Sequence, residues 1–438
     1  MTLVMLDCCS HGSNAANYRT PGWVGPTVVS HPVGRTASGG GVQGGRRTDA
    51  VSTYTLAAAT RHPTMTVGFA YQQAPPGVTP NGTALPAASS TTPTAVFRFR
   101  TASAGAIELQ AFYDAGQPPE RLRLRLIRVK DSVALWTSAG PLVDDRWCSY
   151  IELKIVLHAT AGSVELKVNE VTQVALTNID TRSSAASDTT VNAIEFLGGA
   201  GNNWNVDDIY LNNGSGSLNT GFKGDTQVFV LRPNAAGDST QFTPTGVPDN
   251  WDNINEPNVT YNANNNNNTE ISGNTDLYNV DNLPTEMAGQ AVFGTQVYGM
   301  LQCFVSGGAS TATLLIKSGG SESASASLAL TAAGVGFASV FETKPGGGAW
   351  TTTDIDAAQI GLRSTSNVNV RMYRNWIEVA VKKAVTGCPP VKRILPGVRV
   401  FQRDDAAPRV HGLKNSTTAV DSSVRVLGHN TYQGRKVR

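Results

Sequence analysis

The sequence predicts an all-β protein: two antiparallel β-sandwich (jelly-roll) domains followed by an extended C-terminal arm. Three observations carry this. Short segments with period-two alternation of apolar and polar residues recur along most of the chain, with no helical stretch between them. Charged residues make up only 16% of the sequence, so small neutral polar groups must cover the surface, as suits a turn-rich sandwich and not a helical bundle. Finally, 438 residues are too many for one compact core, and two domains of about 150 to 220 residues plus an appendage are expected.

In the first domain, residues 1–222, strands are expected at 66–71, 95–100, 107–113, 121–126, 133–136, 147–158, 163–168, 172–176, 191–197 and 206–211, with a hairpin turn at Asn169 and Glu170. Leu122, Leu124 and Leu126 claim one face of their strand, which puts Arg121, Arg123 and Arg125 on the other. Arg98 and Arg100 alternate with Phe97 and Phe99 in the same way, the two phenylalanines pointing inward. These five arginines are a candidate cationic strip for phosphate or a sialic-acid-like group. The plainer reading, and the favoured one, is a solvated face on which Glu108 and Gln110 pair with the arginines.

Asp207 and Asp208 have the oxygen chemistry of a calcium site, but neighbours on a regular strand face opposite ways. A structural role, with one Asp bonded to a nearby turn, is expected. Glu108, Glu152, Glu165 and Glu195 fall singly, one per strand, whereas a glycosidase needs two carboxylates flanking one bond. No catalytic residue is nominated, and the chain is expected not to be an enzyme.

The Gly-Ser-rich stretch 214–221 is a composition break, with the boundary near 222. In the second domain, 223–384, strands are expected at 227–231, 291–306, 312–317, 325–330, 338–341, 360–363 and 369–381. Residues 248–283 read as a long polar loop containing an asparagine run. Candidate glycan contacts there are Trp251 and Tyr261 as stacking platforms with Asn264 and Asn266 as amide donors; a loop without a ligand is the plainer reading.

Residues 385–438 hold ten Lys or Arg against three Asp, which is 10 − 3 = +7, and with +2 for the whole chain the remainder carries 2 − 7 = −5. Such a segment is too short and too poor in aromatic residues for a core of its own, yet 397–401 and 423–427 are β-forming. It reads as a basic docking arm that adds strands to a neighbouring subunit. Its anchors are Ile394, Leu395, Val398, Val400, Phe401, Val424, Val426 and Leu427.

The remaining residues exclude more than they indicate. Five cysteines, two of them adjacent and none in a Cys-x-x-Cys, indicate neither a disulfide framework nor a zinc site. The six histidines never fall at metal-ligand spacing, and the glycine clusters do not open helices as a phosphate cradle requires. No metal or cofactor is therefore expected. A net charge of +2 does not argue for nucleic acid. Residues 1–6 lack the form of a secretory signal and no run of about 18 apolar residues occurs, so no membrane insertion is expected and synthesis in a cytoplasm is the default.

Several motifs resemble virion proteins of tailed phages whose first domain is laminin-G- or concanavalin-like. They are Met5-Leu6-Asp7-Cys8-Cys9-Ser10-His11, with Cys9-Ser10 where the pattern has Phe-Asp, and the turn Gly34-Arg35-Thr36-Ala37-Ser38-Gly39-Gly40. The segments 147–154, 162–169 and 206–210 resemble the central strands of such domains, and Gly346-Gly347-Gly348-Ala349-Trp350-Thr351-Thr352-Thr353-Asp354-Ile355-Asp356 closes the second block. The resemblance covers residues 1 to about 383 and brings no catalytic residues with it. It implies a structural component of a bacteriophage particle, on the tail, baseplate, fibre or head surface, made in the bacterial host cytoplasm. Partners would be other virion proteins and further copies of the chain. The alternative is a receptor-binding fibre protein recognising a host surface glycan, which would need multivalent display because one sugar site gives about millimolar affinity. A glycan depolymerase is the minor alternative.

Overall fold

The structure is a computed structural model. It describes residues 3–7, 23–24, 29–30, 46–47, 51–73, 93–113, 121–144, 149–183, 188–197, 204–255, 264–304, 309–383, 399–403 and 406–411. The protein is all-β, and the strands form antiparallel sandwiches.

Sheet I has the order β14 (Val171–Ile179), β13 (Gly162–Val168), β12 (Ser149–Val156), β6 (Thr64–Gln73), β16 (Trp204–Asn213), β4 (Arg46–Arg47), β3 (Val29–Ser30), with β1 (Leu3–Asp7) also on β16. Sheet II has β10 (Val133–Thr137), β9 (Arg121–Arg128), β8 (Gly105–Tyr113), β7 (Thr94–Arg100), β15 (Ala193–Phe196), β5 (Ser52–Thr55), β2 (Trp23–Val24), with β11 (Val143–Asp144) on β9. Sheet III has β19 (Thr243–Thr245), β20 (Asn266–Thr269), β28 (Val370–Lys382), β22 (Val292–Cys303), β26 (Val335–Phe341), with β17 (Thr226–Leu231) on β28. Sheet IV has β18 (Pro233–Thr240), β21 (Thr275–Val280), β27 (Gln359–Ser364), β23 (Ser310–Ser318), β24 (Ser321–Ala324), with β25 (Leu328–Leu330) on β23.

Sheets I and II enclose the first core, in which Phe69 of β6 meets Phe97 of β7 and Phe196 of β15 at centroid distances of 5.7 and 5.1 Å. Phe97 and Phe99 do point inward, and both are fully buried. Sheets III and IV enclose the second core. The two sandwiches then pack through the outer faces of sheets I and III. Leu3, Leu6, Ala70, Tyr150 and Tyr210 of sheet I lie there against Val228, Val340 and Ala380 of sheet III. The stacking order is therefore II, I, III, IV, and central strands of the two middle sheets, such as β12 and β28, are buried on both sides. On β12, for example, Ile151, Leu153 and Ile155 enter the first core while Tyr150 and Glu152 enter the seam.

Two stretches differ from the sequence expectation. The supposed loop 248–283 contains β20 and β21, because its asparagines find partners inside the sandwich. The glycine-rich phrase ending at Asp356 closes with the helix α1 (Thr352–Asp356), which the strand pattern missed. Its start is a capping box: Asp354 N donates to Thr351 Oγ1 at 3.1 Å while Thr351 N donates to Asp354 Oδ2 at 3.0 Å. Before it, Gly346, Gly347 and Gly348 all have φ between 83° and 95°, a conformation that only glycine adopts without strain. This turn delivers Trp350 into the second core, where its Nε1 donates to Phe341 O at 3.0 Å.

Residues Met1–Ala384 form one compact unit and Val385–Arg438 a second. In the second, β29 (Arg399–Arg403) and β30 (Ala406–His411) pair antiparallel. The strand expected at 397–401 overlaps β29 at residues 399–401, whereas 397–398 and 423–427 lie outside the described residues.

Candidate functional site

The outer face of sheet II carries the arginines singled out from sequence. The order β9, β8, β7, β15 places β8 between the two arginine rows, and the register sets Arg98 opposite both Glu108 and Glu195. Arg98 Nε donates to Glu108 Oε2 at 2.9 Å and its Nη1 to Glu195 Oε2 at 3.3 Å. Arg100 Nη1 donates to Glu195 Oε1 at 2.9 Å, and Gln110 Nε2 to Glu108 Oε1 at 2.7 Å. Both glutamates are buried beneath the arginines. Arg123 is held differently: its Nε donates to Ser138 O at 2.9 Å and its guanidinium lies 5.3 Å from the Phe112 ring centre. Arg125 keeps a buried Nε with no hydrogen-bond partner. The side chain of Arg121 lies outside the described residues.

The sequence pairs the arginines with Glu108 and Gln110, and the structure adds Glu195. It is 97 positions from Arg98 in sequence, and only the β7–β15 pairing brings it near. Glutamates that fall one per strand can still meet across the sheet through strand pairing. Glu108 and Glu195 are brought together across strands, by one shared arginine.

Of the candidate glycan contacts, three fall among the described residues and one of these is buried. Asn266 is buried in β20, which corrects its assignment as a ligand donor. Trp251 is half-buried and packs on the second core, Asn264 is exposed, and Tyr261 lies outside the described residues. The asparagines next to them serve the fold. Asn267, fully buried, donates from Nδ2 to Tyr278 Oη at 2.8 Å and to Asn250 O at 2.7 Å. Tyr278 in turn donates to Asp276 Oδ2 at 2.7 Å, an oxygen that also accepts from Asn250 Nδ2 at 2.6 Å. Asp276 Oδ1 accepts from Phe242 N at 2.8 Å. Burial pushes the Asp276 carboxyl above the usual carboxylate range despite these donors, and pushes the Tyr278 phenol well up.

A second buried carboxylate lies in the seam. Glu152 Oε1 accepts the Tyr210 hydroxyl, Lys223 N at 2.8 Å and Gly224 N at 2.9 Å, while its Oε2 has no partner. Tyr210 reaches Glu152 from two strands away by passing over Gly68, the residue opposite both in register. A Cβ at Gly68 would stand 2.1 Å from Tyr210 Cε1. Glycine inside an apolar strand is the sequence signal that could have revealed this close approach. Burial pushes the Glu152 carboxyl up, against the pull of its three donors and Lys167.

Other side chains stitch the seam to the backbone. Gln296 of sheet III accepts Leu6 N at 3.2 Å and donates to Leu6 O at 3.0 Å, matching the edge of β1 as a strand would. Asp208 sits at a β-bulge with φ 51°, which turns its Oδ1 to accept Val228 N at 2.8 Å. The bulge is why the two adjacent aspartates do not alternate regularly.

Of the arm anchors, Val400 and Phe401 lie in β29. Ile394, Leu395, Val398, Val424, Val426 and Leu427 lie outside the described residues.

No family model matches this chain, and no curated protein matches it. Among solved structures it is similar to the catalytic domain of a glycoside hydrolase family 131 protein from Coprinopsis cinerea, at 14% identity and a TM-score of 0.22 over 37% of this chain. This chain spans 60% of that domain, under two thirds of its length. It is also similar to a carbohydrate esterase from the Shiga toxin-encoding bacteriophage phi24B, at 14% identity and a TM-score of 0.28, covering 44% of this chain and 91% of that one. A protein of unknown function with a galectin-like fold from Bacillus subtilis matches at 14% identity and a TM-score of 0.24, covering 39% of this chain and 80% of that one. The expectation that the chain is not an enzyme is corrected here, because glycoside hydrolases and a carbohydrate esterase stand among the structures it matches. Scores this low carry no argument for a particular activity and assign no catalytic residue.

Proposed function

We propose that this chain is a structural component of a bacteriophage particle, in which the double sandwich is a preformed block and the basic C-terminal segment carries the assembly contact. The observation that supports this reading most is the seam. Two sandwiches that share buried side-chain-to-backbone bonds, such as Gln296 on Leu6 and Asp208 on Val228, behave as one body. A block of this kind suits a role in which surfaces must hold fixed relative positions. The +7 segment forms a unit of its own and the rest of the chain carries −5, which favours attraction between copies or to acidic neighbours. Charge alone does not fix such a segment: exposed pairs contribute under about 1 kcal/mol each, so strand pairing through its Val-Arg-Val pieces must supply the rest.

The experiment is to compare the full chain with a variant ending at residue 384, during particle assembly in the producing host. The shortened chain is expected to fold, with the circular dichroism of a β protein, and to be absent from purified particles. The full chain is expected in them at a fixed stoichiometry. Incorporation of the shortened chain at normal stoichiometry overturns the docking role. Absence of the full chain from particles overturns the virion reading itself.

A further inference from the structure

Sheets I and II each end on the same side of the first sandwich, in β14 and β10. The two edges meet where Arg128 Nη1 donates to Asp180 O at 3.2 Å and Lys130 pairs with the Asp180 carboxylate. Among the described residues no strand pairs with β14 on the side away from β13, and five of its nine residues are exposed, Val171 among them. Behind this side the first core is incompletely covered: Val174 and Ile179 of β14 and Leu135 and Trp136 of β10 pack on it while only half-buried.

An edge strand presents unpaired N–H and C=O groups, and proteins ordinarily guard such an edge with charge, with proline, by shortness or by cover. The second sandwich follows this rule. β18 carries Pro233 and Asp238, β19 carries Pro244 and β24 carries Glu322. β17 and β26 are uncharged but largely covered, and β25 is only three residues long. β14 departs from it, with no charged residue and no proline across nine positions, and β10 has neither across five.

We propose that β14 is a homotypic docking edge, which pairs antiparallel with β14 of a second copy about a two-fold axis so that sheet I continues across the junction. A two-fold axis sets each strand against its own twin, so any charge on it would meet its like; a neutral strand is what self-pairing needs, whereas a different partner is steered by complementary charge. The flanking ion pairs agree with this. After β14, Asp180 with Lys130 and Arg182 forms a group of two cations and one carboxylate, and before it Glu170 pairs with Lys382. Antiparallel pairing sets each cation-rich group beside the Glu170 end of the other copy and away from its twin. This inference does not depend on the assembly role of residues 385–438.

Sedimentation of the full chain from about 0.1 to 100 µM, with hydrogen exchange on the same samples, tests it. The native chain is expected to form a dimer, or an even multiple, with a dissociation constant of about 1 to 50 µM, the weak end of specific interfaces. Its β14 amides are expected to exchange more slowly at the highest concentration than at the lowest, while those of β18 do not change. Ala175→Lys with Thr177→Lys puts like charges on two exposed positions of the junction and should weaken the dimer at least about tenfold. Thr240→Lys, on β18, should dimerise as the native chain does. If circular dichroism shows that the double variant does not fold, the exchange of the native chain decides alone. A native chain that is monomeric at about 100 µM overturns the proposal, as does β14 exchange that is independent of concentration, or a folded double variant that dimerises as tightly as the native chain. A full chain carrying Val400→Asp and Val424→Asp should keep both the dimer and the β14 protection. Loss of both would make the C-terminal segment of a second copy the occupant of this edge and would overturn the self-pairing.

Discussion

Two buried tyrosine–carboxylate pairs, Glu152 with Tyr210 and Asp276 with Tyr278, use the same chemistry for different ends. In the second sandwich both residues belong to one strand, β21, and the network they anchor is local: it holds Asn250, Asn267 and the Phe242 amide. Both oxygens of Asp276 are bonded. In the seam the partners come from β12 and β16 with β6 between them, and the donors that complete the site, Lys223 N and Gly224 N, come from the connection into the second sandwich. There all the bonds fall on one oxygen and the other is left without a partner. A local network can satisfy a carboxylate fully because short loops adjust around it. A carboxylate recruited to join two preformed sheets takes the donors that the packing allows.

The largest effect is expected where this comparison meets backbone. A Cβ at Gly361 would stand 1.8 Å from Asp276 O on the paired strand, which cannot move without breaking the ladder. Gly361→Ala should therefore cost about 4 kcal/mol, in the range of severe core disruption, read from the urea midpoint. Gly68→Ala clashes only with a side chain, the Tyr210 ring at 2.1 Å, and should cost about 2 to 3 kcal/mol as overpacking does. If the order of these two were reversed, Tyr210 would be the less movable obstacle and the seam the more rigid region.

Removing the hydroxyls comes next. Tyr278→Phe deprives Asp276 of a donor and Asn267 of an acceptor, and should cost about 2 to 3 kcal/mol; Tyr210→Phe leaves Glu152 two backbone donors and should cost about 1 to 2 kcal/mol. Equal losses would mean that the extra bond of Tyr278 contributes nothing.

The pH dependence sharpens the same contrast. The folded-state values of Glu152 and Asp276 are raised above their ordinary 4.5 and 3.8, chiefly by burial. Their contribution to stability is thus full below those ordinary values and is lost as pH rises through the folded ones. Glu152→Gln and Asp276→Asn should each lose less stability than the native chain as pH rises from the ordinary carboxylate range, measured as urea midpoints against pH. Asp188 has the opposite sign: although burial pushes it up, the hydroxyls of Ser103, Ser183 and Thr101 hold it below 3.8. Its contribution is present above 3.8 and lost in acid, so a triple Ser103→Ala, Ser183→Ala, Thr101→Ala variant should be less acid-sensitive.

The smallest effect is expected at the surface. Arg100, with its side chain 44% exposed, is the outer member of the sheet II ion pairs, and Arg100→Ala should cost under about 1 kcal/mol in thermal or urea unfolding. A larger loss would show that Glu195 depends on it more than on Arg98.

The sequence by itself determined which residues form most strands and which side of each strand is apolar. Alternation is a local property, and it placed Phe97 and Phe99 inside and Arg123 and Arg125 outside. It also located the composition change before β17 and the charge of the last 54 residues, ten basic against three acidic. The tertiary structure decided what the polar residues meet. That Glu195 would join Glu108 under Arg98 depended on strand order, and strand order is set by contacts far apart in sequence. That Asn266 to Thr269 would be a strand depended on partners for buried amides, which composition marks as polar without saying where the partners are. That Glu152, Gln296 and Asp208 would be sealed in a seam depended on sheets I and III covering each other, and a face that reads as polar in one strand is buried only when another sheet lies on it.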